Sequence, residues 1–160
     1  MRQRPDVDAG GMKGIRDRLA SLAESKADRP SRAREAAECI RAARNFHWVG
    51  LYDVTPSRIV AIAWTGPVPP AFPVFPRTRG LNGAAVAANA PVVVQDVRSD
   101  PRYLTTFGAT RAEAVFPVRS GSAVVGTIDV ESDRANSFTR EDERFLEECS
   151  EALARLWPGS

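Results

Sequence analysis

The hydrophobic period of this 160-residue chain changes twice, and that change limits the folds open to it. Apolar side chains recur at helical spacing over 12–27 and again over 31–45. The second helix carries Ala33, Ala36, Ala37, Ile40 and Ala43 as its stripe, with Ser31 as the expected N-cap. At residue 47 the period drops to two. HWVGLYDV (47–54) and RIVAIAWT (58–65) are β-rich runs joined by Thr55-Pro56-Ser57, the pattern of a hairpin. Further runs lie at 91–97, 113–118 and 123–131, the last two joined at Ser120-Gly121. Thr139 then opens a helix expected to reach Trp157. Asp142 completes its capping box, and Phe145, Leu146, Cys149, Ala152, Leu153 and Leu156 share one face. Helices at both ends with strands between them imply an α+β domain on one mostly antiparallel sheet.

Two stretches interrupt the pattern. Prolines at 67, 69, 70, 73 and 76 exclude a central strand from residues 66–80 and leave an irregular or edge segment. RTRGLNGAAV (77–86) follows, with Gly80 and Gly83 on either side of Leu81-Asn82. Glycines so spaced indicate a tight strand-to-helix turn whose backbone approaches another group closely. The expected organisation is a disordered lead-in over 1–11 and one domain over 12–157.

Charge excludes several classes of partner. Residues 1–44 hold 11 basic and 7 acidic side chains, and the remainder holds 11 and 13, so the overall +2 resides at the N-terminal end. Interleaved with acids, those bases read as a solvated helical face and not as a nucleic-acid footprint. No apolar run is long enough to span a membrane, and the N-terminus lacks the apolar segment of a secretory signal, so the expected location is cytoplasmic. Cys39 and Cys149 lie far apart in helical patterns without a CxxC spacing. With His47 as the single histidine they form no metal site and are expected to serve as small hydrophobes. Asp96 and Asp100 are explained by the turn around Pro101, and His47 is expected to face away from the aromatic side of its strand.

HWVGLYDV, RGLNGAAV, VVVQDVRSDPRY, EAVFPV, GSAVVGTIDVES and FTREDERFLE fall in the order and spacing of a GAF domain, and resemble in particular its free methionine-(R)-sulfoxide reductase branch. The resemblance spans roughly residues 12–156. It implies a GAF/PAS-like central antiparallel sheet, with the N- and C-terminal helices on one face and a ligand pocket on the other. The positions that match the branch's redox cysteines are Phe72, Asn82 and Thr106 here. Sulfoxide reduction by a thiolate and a resolving thiol is not available to those side chains. The resemblance implies no cofactor: a bilin would need a cysteine in the middle of the domain, and the upstream element of cyclic-nucleotide GAF domains is missing.

The binding shell is better kept. Trp48 and Tyr52 share one face of a strand, and Asp129 and Glu131 share one face of a later strand, opposite Val124, Gly126, Ile128 and Val130. Glu113 heads the strand before it. Carboxylates grouped in this way repel unless a cation or proton joins them. A ligand ammonium group is one source of that charge, with the aromatic walls adding cation–π attraction. Arg77, Arg79 or Arg111 is the alternative source. In the resembling branch the corresponding aromatics and acids hold an amino-acid substrate. The expected site is therefore Trp48, Tyr52, Asn82, Glu113, Asp129 and Glu131, binding an amino acid or related amine without turnover. A divergent reductase, or a ligand-free interaction module with its pocket filled by Phe72, Phe75 and Phe107, remains the alternative. A homodimer through the terminal helices, using the apolar stripe of 142–156, is the expected assembly.

Overall fold

Alternation of side chains across the strands and 3.6-residue stripes on the helices sort the chain into two layers. The computed structural model describes residues 9–105 and 108–158. Helices α1 (Ala9–Glu24) and α2 (Arg29–Arg44) precede strands β1 (Trp48–Val54), β2 (Arg58–Thr65) and β3 (Val74–Pro76). Helix α3 (Gly80–Ala88), strands β4 (Val92–Val94), β5 (Ala112–Ser120) and β6 (Ala123–Ser132), and helix α4 (Arg140–Ala152) complete the order. The six strands form one antiparallel sheet in the order β3-β2-β1-β6-β5-β4.

One face of the sheet carries α1, α2 and α4. Val49 and Leu51 of β1, Ala114, Phe116 and Val118 of β5, and Ile128 and Val130 of β6 pack there with Leu19, Ile40, Phe145, Leu146 and Leu153 from the helices. Gly126 lets the sheet accept the C-terminal indole: a β-carbon on it would collide with the ring of Trp157. Arg29 closes this end, donating to both carboxylate oxygens of Asp53 (2.6 and 2.9 Å) and to the carbonyl of Leu156 (2.9 Å), with its guanidinium over the Trp157 ring.

Several expectations shift. Helix α1 begins at Ala9, so residues 9–11 of the expected lead-in are helical, extending a helix anchored by Met12, Ile15 and Leu19; residues 1–8 lie outside the described residues. The cap of α2 is Asp28, whose carboxylate accepts from the Ser31 amide at 2.9 Å; Ser31 lies inside the first turn because Pro30 suits that position. The expected strand at 91–97 is only Val92–Val94, since Asp96 caps a 3-10 turn over Val97–Ser99. The capping box of Thr139 and Asp142 is present, but α4 ends at Ala152 and a 3-10 turn (Ala154–Leu156) carries the chain to Trp157. The stripe of α4 packs into the chain's own core, with Ala152 half-buried at its margin. The proline-rich segment contributes β3 at the sheet edge, where Pro73 accepts from the Ala61 amide. Cys149 is buried and Cys39 half-buried, both on the helical side; burial pushes both thiols up from their ordinary value.

Candidate functional site

The opposite face is built by register. Trp48 of β1 stands opposite Glu131 of β6, which stands opposite Glu113 of β5; in the next row with the same orientation, Gly50, Asp129 and Val115 are aligned; then come Tyr52, Thr127 and Pro117. Three carboxylates thus converge because three strands present the same face. Gly50 makes room for the aromatic pair, since a β-carbon there would collide with both the Trp48 and Tyr52 rings. Val124 is a correction: it packs with Trp48 and Tyr52 and not with Gly126, because the β5–β6 register shifts at Val118/Arg119 and inverts the alternation beyond it.

Helix α3 covers this face and delivers Asn82 to it. The Asn82 amide donates to Oδ2 of Asp129 at 2.9 Å, and its carbonyl accepts from the Thr127 hydroxyl at 2.6 Å. Asn82 therefore holds Asp129 and also lines the cavity in which the sequence suggested a ligand contact. Thr110 donates to Oε2 of Glu131 at 3.0 Å. Thr110 and Thr127 were both missed by the sequence reading, although Thr127 lies on the same alternation as Asp129. Gly80 adopts a left-handed conformation (φ +71°), as its turn requires. The close approach at Gly83 is to the chain's own backbone: a β-carbon would lie 2.7 Å from the Thr78 carbonyl carbon and 2.8 Å from the Arg77 oxygen.

Tyr52, Asn82, Glu113 and Asp129 border a small cavity roofed by Phe72 and Phe75, with ≈ 10 Å³ for the centre of a water-sized sphere. Trp48 and Glu131 stand beside it without lining it. Phe75 meets the Tyr52 ring edge-on at 5.9 Å between centroids, and the Trp48 indole donates to the Val68 carbonyl at 2.9 Å. The proline-rich segment therefore lies over the cavity. The two matched positions within the described residues, Phe72 and Asn82, belong to this cavity; Thr106 and Phe107 lie outside the described residues.

Electrostatically the site is short of positive charge. Glu113 is held well above the usual carboxylate range, first by burial and then by the charges of Asp129 and Glu131. Burial also raises Asp129, against the lowering effect of its hydrogen bonds with Glu113 and Asn82. The Tyr52 phenol is pushed well up by burial and by the three carboxylates. The Oδ1 atom of Asp129 is buried, and no N–H or alcohol hydroxyl of the described residues donates to it. Arg77 instead donates to the Thr55 carbonyl and Arg111 to the carbonyls of Gly108 and Thr110; among the described residues neither arginine is paired with Glu113 or Asp129, two of the three acids for which arginine pairing was the alternative. The acids bring one oxygen each to within 4.8 Å of one another, a set that also suits a hard divalent cation.

A family model described as "GAF domain" matches residues 28–156. GAF domain-containing protein A of Dictyostelium discoideum is 32% identical over 110 residues, 68% of this chain and 68% of that protein. The free methionine-R-sulfoxide reductase of Escherichia coli K12 is 27% identical over 112 residues, covering 70% of this chain and 67% of the reductase. The structure of the free methionine-R-sulfoxide reductase from Neisseria meningitidis in complex with its substrate superposes with a TM-score of 0.84 at 25% identity, over 100% of this chain and 96% of that one. No helix among the described residues is long and apolar enough to cross a membrane.

Proposed function

The chain belongs to the GAF domain family of ligand-binding regulatory modules, and from that premise we propose that it binds the ammonium group of a small amine or amino acid without reducing or otherwise transforming it. One observation carries this reading: Glu113 and Asp129 are buried side by side in a cavity lined by no basic side chain among the described residues. An ammonium group donates in three directions and supplies the missing positive charge. Tyr52 and Trp48 add aromatic surface beside it. The similarity to proteins named as free methionine-R-sulfoxide reductases supports an amino-acid-sized ligand.

Thiol-dependent reduction lacks its nucleophile in this cavity. Phe72 and Asn82 carry no thiol, and Cys39 and Cys149 sit on the other side of the sheet. A sensory role, with signalling through a homodimer built on the outer faces of α1 and α4, is part of the same proposal.

A thermal-shift screen of free amino acids and small amines tests it. At least one should raise the melting temperature of the wild-type protein, and the rise should vanish in Asp129→Ala and in Glu113→Ala. Magnesium and calcium chloride are included; a shift from those salts alone would reassign the acids to a metal. Thiol-dependent reduction of free methionine sulfoxide by the purified protein would overturn the non-catalytic reading.

A further inference from the structure

Two cavities of opposite electrical character meet at Gly80 and Leu104. The inner one holds Glu113 and Asp129, with no basic side chain among the described residues, and has room for roughly one water molecule. The outer one is a groove of ≈ 670 Å³ between one side of α3, from Gly80 to Ala87, and the 101–104 loop; Arg77, Arg79 and Arg102 line it, with no acidic side chain among the described residues. Gly80 and Leu104 line both. A β-carbon on Gly80 would stand 3.4 Å from that of Leu104, so the two cavities adjoin at a contact where Gly80 itself carries no side chain.

The three arginines are not equally occupied. Arg102 is paired with Asp100 at 2.7 Å. Arg77 gives one Nη to the Thr55 carbonyl at 2.9 Å and, like the exposed Arg79, has no carboxylate partner among the described residues. Arg79 is also the N-cap of α3 and offers no side-chain cap, so the positive end of the helix adds to the charge on this side.

A water-sized inner cavity admits an ammonium head and little more. The groove beyond Gly80 and Leu104 is the adjoining space with room for the remainder of a ligand. Resting on the amine reading above, we propose that this groove is an anion subsite and that the ligand is dipolar, with an ammonium group seated on Glu113 and Asp129 and a carboxylate or phosphate facing Arg77 and Arg79. Guanidinium groups suit both anions through their planar fork of donors.

Calorimetric titration with two matched pairs separates the possibilities: L-methionine against methylthiopropylamine, and O-phosphoethanolamine against ethanolamine. The dipolar member of one pair should bind at least about tenfold tighter than the amine lacking the anion, and that pair identifies the anion. Arg77→Gln with Arg79→Gln should abolish the preference by weakening the dipolar member alone, whereas Asp129→Asn should weaken both members. Arg79→Gln by itself, at an exposed position, serves if the double variant melts early. Equal binding within both pairs, or a preference that survives the arginine substitutions, overturns the anion subsite and leaves the amine reading standing. Binding of none of the four in an Asp129-dependent manner overturns the amine reading, and the dipolar ligand with it.

Discussion

Glu113 is the residue at which function and stability oppose each other. Its folded-state affinity for a proton is raised above that of an ordinary glutamate, chiefly by burial. Between the ordinary carboxylate value and the raised one, the folded protein holds a proton that the unfolded chain has released. Stability from this group therefore falls as pH rises through that window and is fully present below it. Glu113→Gln should melt higher than wild type at about pH 8, by ~2–4 °C for each kcal/mol relieved, with the difference shrinking toward about pH 5. The same variant should bind amines less well, and melts across pH with and without ligand check both effects. This residue was legible early, because a two-residue period places Asp129 and Glu131 together and Glu113 one strand away. Thr110 was not: it stands in the loop before β5, and its place is fixed by the bond from the Arg111 amide to the Ser132 carbonyl, a pairing that residue spacing does not encode.

At the scale of elements, α4 is held by its N-terminus. The Thr139 hydroxyl accepts from the Asp142 amide at 3.1 Å, and the Asp142 carboxylate accepts from the Thr139 amide at 2.9 Å and from Arg44 Nε at 2.8 Å. Arg44 and Asp142 are both buried. Thr139→Ala should cost ~1 kcal/mol, as a lost cap does. Asp142→Ala also leaves the Arg44 guanidinium buried without that partner and should cost ~3–5 kcal/mol. Denaturant unfolding of the two variants gives the comparison; equal losses would mean that the cap, and not the ion pair, dominates. The capping box could be read from Thr139 and Asp142 alone, whereas the pairing with Arg44, 98 positions away, could not. Register irregularities are hidden in the same way. The shift at Val118/Arg119 changes the face of Val124 without leaving a mark in the composition of either strand.

For the molecule as a whole, the sheet separates two jobs. Trp157, Arg29 and the helices secure one face, and the acids, α3 and the proline-rich segment occupy the other. Trp157→Ala should lower stability by ~3–5 kcal/mol, since a large buried ring leaves a void over Gly126. The ligand-induced shift in melting temperature should nevertheless persist in that variant. Loss of the ligand response along with stability would show that the faces are coupled. The layered architecture followed from the two changes of hydrophobic period, but the closing of the C-terminus did not: the apolar stripe continues to Trp157 while the helix stops at Ala152.

The bond from the Trp48 indole to the Val68 carbonyl also has an optical consequence. Trp48 reaches from the first strand to the segment that roofs the acids, so any displacement of that roof changes the polarity and hydrogen bonding felt by its excited state. Trp157, sealed in the opposite core, is remote from such a movement. Of the chain's three tryptophans, Trp48 is placed to report on the roof and Trp157 on global unfolding.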